Sequence, residues 1–339
     1  MRVQIVGAGA IGCFLGSRLA AVDGVDVTLV GRSGFVDAVA TQGGLRVQEG
    51  DTATIISEVN ATTELSGEAD LIIVAVKSND TAAVATQISS TVDTDVLVLS
   101  VQNGVGNEEI LVNAGCVRVV AGSLTTPVSV LAPAFIRIDK ANSSAGIASW
   151  TPDAIVADVD RVHTLFASAG FEARRYDSAD SMKWTKLLMN IVGNASSAIL
   201  DKTPGEVFSD PRLVDLEIEA WRETLRVMKA SSIKPVKVGS YPFNILGPAV
   251  LALPKAAIRP VLRSQVVGGR GDKMPSLHID VYGRRGRSES AWLNGAVVDH
   301  GKRVDVETPI NQVFAATVAN LVGEIEVWDS DRLLRAALI

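Results

Sequence analysis

The chain has 339 residues, 47% of them hydrophobic and 21% charged, with a formal net charge of −6. So much apolar sequence excludes disorder, the length suits two domains better than one core, and the lack of a basic tail argues against nucleic acid or an anionic membrane surface as the main partner. Two cysteines, Cys13 and Cys116, make no disulfide framework and fall at no metal-ligand spacing, so no metal is expected and a reducing, cytoplasmic setting fits best.

Arg2 ahead of an apolar stretch looks like the start of a secretion signal. Glycines at positions 7, 9, 12 and 16 interrupt that stretch, and a nucleotide-binding pattern accounts for it better. In chain order, β-branched runs at residues 3–6, 25–30, 71–76, 96–101 and 117–121 predict strands, with the nearly all-apolar run at 71–76 buried on both faces. A helix is predicted at 11–21, a further pair of strands at 137–139 and 146–149, a helix at 157–169 and a strand at 172–175. That alternation is the signature of a parallel α/β sheet. From Ser178 the period becomes helical, at 182–200 and at 211–230, where Asp210-Pro211 marks a start. A Gly/Pro-rich stretch at 234–275 separates these from helical patterns at 288–300 and 309–323. The expected fold class is therefore α/β, with an N-terminal Rossmann-type parallel-sheet domain over residues 1–177 followed by an all-α C-terminal domain over 178–339. The apolar stretch at 245–262 carries Pro248, Pro254, Pro260, Lys255 and Arg259 and makes a poor bilayer span, so no membrane segment is expected. The basic run Arg284, Arg285 and Arg287 reads as a solvated loop or a local ion-pair site.

Gly7-Ala8-Gly9-Ala10-Ile11-Gly12 is a G-x-G-x-x-G placed directly after a strand and opening a helix. Gly7 permits the tight turn, Gly9 lets backbone approach a pyrophosphate, and Gly12 allows helix to pack closely on strand. The helix N-terminus then offers free N–H groups and partial positive charge to phosphates. At the end of the second strand an NAD site carries Asp or Glu for the ribose 2′-hydroxyl, whereas this chain reads Val30-Gly31-Arg32-Ser33. Arg32 would meet a 2′-phosphate with a planar, permanently charged fork, so NADPH/NADP+ is favoured over NAD. Lys77 and Gln102-Asn103-Gly104 follow two further strands, at the carboxyl ends where ligands of open α/β sheets bind.

In the second half Lys186, Asn190 and Asn194 fall at i, i+4 and i+8, so one continuous helix would align them as a polar stripe among Leu187, Leu188, Ile191 and Val192. Such a stripe in apolar surroundings implies a cavity or an internal hydrogen-bond network. His163, His278 and His300 have no Ser/Asp or metal-ligand partners at a recognisable spacing and read as structural or solvent-facing, with His278 set apart by its nearness to Ser276.

Taken together, GAGAIG at 7–12, VAVKSND at 74–80, QNGVGNEE at 102–109, KWTKLLMN at 183–190 and a late block of Ser276, Asp280, Glu289 and Leu293-Asn294-Gly295 resemble the ketopantoate reductase (2-dehydropantoate 2-reductase) family of 6-phosphogluconate-dehydrogenase-like reductases. The resemblance spans nearly the whole chain. It implies Lys186 and Glu289 as catalytic residues, Asn190, Asn194, Ser276 and Asn103 as substrate-binding, and Gly7, Gly9, Ala10, Ile11, Gly12, Arg32, Lys77, Asn103 and Glu289 as cofactor-contacting. It implies hydride transfer from NADPH to a small-molecule 2-oxo acid, 2-dehydropantoate, giving (R)-pantoate, and it suggests a homodimer. Three departures from the family pattern stand out: Ala195-Ser196-Ser197 in place of Pro-Leu-Thr, one extra residue between Asp280 and Glu289, and a Pro-rich stretch at 234–275 longer than in compact members.

The residue types suit that chemistry. Reduction of a ketone builds negative charge on oxygen, so a cation and proton donor beside it stabilises the transition state. A lysine of ordinary pKa, about 10.4, is protonated at neutral pH and serves as that acid. Glu289 would hold Lys186 or bind the substrate's distal hydroxyl. Two other readings remain open on the residues: a reductase of another 2-oxo acid or an opine-type substrate, and a non-catalytic NADPH-binding sensor.

Overall fold

The computed structural model describes residues 1–140, 143–270, 273–284 and 286–337. Arg285 of the basic run lies outside them. The chain divides into two compact units: Met1–Gln102 with Gly106–Met182, and Asn103–Val105 with Lys183–Ile339.

The first unit opens with β1 (Arg2–Val6), α1 (Ala10–Leu19), β2 (Asp26–Val30), α2 (Ser33–Gln42), β3 (Leu45–Glu49), β4 (Thr52–Ile56), β5 (Val59–Thr62) and β6 (Leu71–Val74). It continues with α3 (Thr81–Thr91), β7 (Leu97–Ser100), α4 (Asn107–Asn113), β8 (Arg118–Leu124), β9 (Val128–Ala132), β10 (Phe135–Ile138), β11 (Ser144–Ser149), α5 (Val156–Ser168) and β12 (Glu172–Arg175). Eight strands form one sheet in the order β12-β11-β8-β7-β6-β1-β2-β5, parallel except where β11 runs antiparallel to β8. Along β6, Leu71 and Ile73 enter one hydrophobic cluster and Ile72 and Val74 another. A strand covered on both faces needs apolar side chains at every position, which is why this run shows no alternation.

A separate four-stranded sheet, β4-β3-β10-β9, packs against α1. Sequence patterning missed β3, β4, β5 and β9, and grouped residues 137–139 with 146–149. The structure separates those two segments: β10 pairs with β3 and β9, while β11 joins the large sheet beside β8. β4 is exposed along all but its last residue and so lacks the burial that would have marked it in the sequence.

Among the described residues the second unit is helical apart from a two-strand hairpin, β13 (Lys237–Val238) with β14 (Tyr241–Pro242). Its helices are α6 (Ala179–Ile191, whose first turns belong to the first unit), α7 (Asn194–Leu200), α8 (Pro204–Val207), α9 (Pro211–Ala230), α10 (Phe243–Ala252), α11 (Lys255–Arg270), α12 (Ser276–Tyr282), α13 (Asn294–Arg303), α14 (Pro309–Gly323) and α15 (Ser330–Ala336). The single helix expected at 182–200 is two, broken at Gly193, whose φ of +63° is left-handed. The Gly/Pro-rich text at 234–275 forms α10 and α11, with Pro248 and Pro260 inside them. Ile258, Leu262 and Val266 repeat every four residues and are all buried in the core of this unit, and that burial outweighs the lost backbone bond at Pro260.

The glycine turn shows how close the packing is. A Cβ at Gly12 would lie 2.0 Å from the Gly7 carbonyl oxygen, a backbone atom with no freedom to yield. Gly12→Ala should lower the unfolding free energy by about 2 kcal/mol or more, by the cost of overpacking. Urea denaturation followed by tryptophan fluorescence measures it, and an unchanged midpoint would mean that α1 does not start against Gly7 as described.

Candidate functional site

In the first unit the expected cofactor residues sit at one end of the parallel strands. Gly7 follows β1 at φ +108°, its N–H donating to the Val30 carbonyl at 3.0 Å, and Gly9 is the N-cap of α1. That helix has no side-chain cap and no acidic residue in its first turn, and a Cβ at Gly9 would meet nothing within 4 Å. Ala10 and Ile11 begin the helix and Gly12 is buried in it. Arg32 is exposed at the N-cap of α2. With Ser33, Gly34 and Phe35 it lines a cavity of about 420 Å³ whose far wall is the β9–β10 hairpin.

Lys77 follows β6, partly buried, and its carbonyl accepts from the Asp80 N–H at 2.8 Å. Gln102, at the end of β7, braces this turn from below. Its amide donates to the Val76 carbonyl at 3.1 Å and to the Thr81 hydroxyl at 2.7 Å, and Thr81 donates to Asn107 at 2.8 Å.

In the second unit four polar residues join in one chain. Asn190, on α6, donates from Nδ2 to Asn103 Oδ1 at 3.2 Å. Asn194, only 4% exposed at the start of α7, donates from Nδ2 to the Asn190 carbonyl at 3.0 Å and to Ser276 Oγ at 3.2 Å. Asn194 Oδ1 accepts the Leu277 N–H at 3.0 Å and so caps α12. Lys186 lies on α6 one turn before Asn190 and is partly buried. The polar stripe expected along one helix thus exists as a bracket across a helix break, with Asn194 bonded mainly to protein.

Two more segments fasten to this arrangement. The Val105 N–H donates to the Trp292 carbonyl at 3.2 Å, and Gly104 approaches so closely that a Cβ would lie 2.4 Å from the same oxygen, at a φ of +80°. That ties the Asn103 loop to the turn that begins at Glu289, which is buried. The turn is held at its other end by Asn294, which donates to Asn311 Oδ1 at 2.9 Å. Asn311 Nδ2 in turn donates to Glu223 at 2.7 Å, and Glu223 also accepts the Ile310 and Asn311 N–H groups. Helix α12, which carries Ser276, is bound to α7 a second time by the Tyr282 hydroxyl, which donates to the Ala198 carbonyl at 3.2 Å. Burial, with Asp201 adding to it, pushes that hydroxyl up to about 12, so it remains a donor at any working pH. His278 pairs with Asp201 at 2.7 Å and stacks on Tyr282, a structural role.

Sequence reasoning singled out the asparagines and the serine of this arrangement and missed the acids that support it, Glu217 and Glu223 on α9. The signal was present. Leu213, Leu216, Ala220 and Val227 mark the buried stripe of α9, and Glu217 and Glu223 fall within it. A carboxylate on an apolar stripe must find buried donors.

A family model described as ketopantoate reductase PanE/ApbA matches residues 3–147, and one described as the ketopantoate reductase PanE/ApbA C terminal matches residues 178–322. The 2-dehydropantoate 2-reductase of Pyrococcus horikoshii is 30% identical over 319 residues, which cover 94% of this chain and 96% of that protein. The solved PanE/ApbA family ketopantoate reductase from Ralstonia eutropha JMP134 superposes with a TM-score of 0.80 at 26% identity, over 96% of this chain and 99% of that one. A D-mandelate dehydrogenase solved with NADH and anilino(oxo)acetate superposes with a TM-score of 0.81 at 21% identity, over 96% of this chain and 100% of that one, a likeness of fold alone.

The helix that carries Lys186 also carries a pH-sensitive contact. Trp184 meets the His300 ring edge-on with centroids 4.8 Å apart. Burial, and then Arg303, lowers the His300 pKa from its ordinary value, against a smaller opposing effect of Asp299. The fold therefore favours neutral imidazole, and this contribution is present above about pH 6.5 and lost as pH falls through the folded value. The stability of the wild type relative to His300→Phe should decline as pH falls below about 6.5. Chemical denaturation across that range measures it, and a constant difference would remove His300 as the titrating group.

Proposed function

The chain belongs to the ketopantoate reductase family, and on that premise we propose that it reduces 2-dehydropantoate to (R)-pantoate with NADPH, Lys186 serving as the general acid. The observation that carries this reading is the convergence, in the second unit, of Asn103, Asn190, Asn194 and Ser276 beside the helix that holds Lys186. Four short polar groups linked through one bracket suit a small substrate with a carboxylate, a ketone and a hydroxyl.

The residues of the first unit fit a phosphorylated dinucleotide. The open space at Gly9 and the uncapped start of α1 leave N–H groups and a partial positive charge for a pyrophosphate. Arg32 and Ser33, with no acid in the first turn of α2, suit a 2′-phosphate and would repel nothing that carries one. NADPH, when bound, supplies the hydride. As the carbonyl carbon accepts that electron pair, the Lys186 ammonium stabilises the negative charge growing on oxygen and then gives it the proton. Asn190 and Asn103 orient the substrate by hydrogen bonds, and Asn194 holds the Ser276 hydroxyl toward it. Glu289, on the turn fastened to the Asn103 loop, is assigned to hold Lys186 or to accept the substrate's distal hydroxyl.

Steady-state kinetics with NADPH test the reading against a panel of 2-oxo acids. The highest kcat/KM is expected for 2-dehydropantoate, and a tenfold preference for another acid, about 1.4 kcal/mol in transition-state binding, would defeat the assignment. Lys186→Ala should lower kcat about 10²- to 10⁴-fold while NADPH affinity stays within about twofold, because a general acid acts on the chemical step. Unchanged turnover would take Lys186 out of the mechanism. Arg32→Ala should raise the KM for NADPH about tenfold and leave that for NADH unaltered, as expected for loss of a charge-assisted contact to phosphate. An equal effect on both cofactors would place Arg32 elsewhere.

A further inference from the structure

We propose that Glu217 is a positioning residue that sets where Asn190, Asn194 and Ser276 lie. The inference rests on the function proposed above for those residues. The chain breaks between α6 and α7, where Gly193 turns left-handed at φ +63°. Such a break strands backbone N–H groups at the start of the second helix, and here the stranded group is buried. Glu217 reaches it from α9: Oε2 accepts the Gly193 N–H at 2.9 Å, and Oε1 accepts the Ser196 hydroxyl at 2.5 Å. Glu217 is 1% exposed and Ser196 fully buried. A carboxylate in such a place is costly unless its donors are fixed, and the start of a helix is where negative charge is favoured.

The clamp grips the joint itself and the first turn beyond it, through Gly193, the residue before α7, and Ser196, the third residue within it. Asn190 is three residues before Gly193 and Asn194 is the residue after it. The Asn194 side chain in turn holds Ser276 and caps α12. Each residue of a helix advances the side chain by about 100° of rotation, so a small slip of α7 against α6 would swing Asn194 away from Asn190 and release Ser276. Glu217 fixes that register.

Three variants test this. Glu217→Leu fills the space without accepting either bond; kcat/KM for 2-dehydropantoate should fall about 20-fold or more while the KM for NADPH stays within about twofold, as expected for misplaced orienting groups. Ser196→Ala removes one arm, is expected to fold, and should cost about threefold in kcat/KM, the loss of part of an orienting contact. Glu217→Gln should recover to within about threefold of wild type, since its amide oxygen accepts from Gly193 while its NH₂ donates to the Ser196 oxygen. Variants that melt earlier yet keep wild-type kcat/KM per folded enzyme would overturn the proposal and leave Glu217 a purely structural acid. Should Glu217→Leu fail to fold, Ser196→Ala decides on the same criterion.

Hydrogen–deuterium exchange over residues 188–200 separates this proposal from the functional reading beneath it. If the wild type does not reduce 2-dehydropantoate, the function falls on its own account. Faster exchange of that segment in Ser196→Ala still upholds the clamp, and exchange equal to wild type refutes it.

Discussion

The second unit is organised by the requirement that buried polar groups be paired. Every helix start strands backbone N–H groups, and at α7, α12 and α14 side chains from elsewhere take them up. Glu217 serves α7, Asn194 serves α12, and Glu223 serves α14 through the Ile310 and Asn311 N–H groups. Each pairing joins elements distant in sequence. The polar residues proposed to orient the substrate belong to these same networks, so the position of an orienting amide and the integrity of a helix start depend on the same bonds.

This arrangement makes the proposed chemistry economical in parts. Asn190 and Ser276 sit on different helices, yet both are referred to Asn194, and the turn that carries Glu289 is referred to the Asn103 loop through the Val105–Trp292 bond. Orienting groups that share a bracket move together or not at all, which is what a reaction with a narrow productive geometry requires. The first unit solves a simpler problem: a backbone-only cradle at Gly7, Gly9 and Gly12, where the function of the side chain is to be absent.

Much of this was legible in the residues. The glycine turn, the doubly buried β6 run and the helical period after Ser178 follow from local rules, and the stacked motifs pointed to the family that the comparisons then showed. The errors have separate origins. β4 and β9 were missed because they expose much of their length and so carry little hydrophobic period, whereas β3 does alternate, with Leu45 and Val47 buried about Arg46, over too short a run to stand out. Helices α10 and α11 were read as loop because prolines were weighed above the buried Ile258, Leu262 and Val266. The helix at 182–200 was read as continuous because Gly193 in an apolar run costs a helix only about 1 kcal/mol, too little to foretell a break.

By itself, the sequence determined whatever depends on neighbours along the chain: where strands alternate with helices, where a glycine is required, and which positive group ends the second strand. Only the tertiary structure decided which acid meets which amide. Glu217 and Gly193, Glu223 and Asn311, and Asn194 and Leu277 are pairs separated by 24, 88 and 83 residues. No periodicity links positions so far apart, and each pairing is selected by the cost of leaving either partner buried without the other.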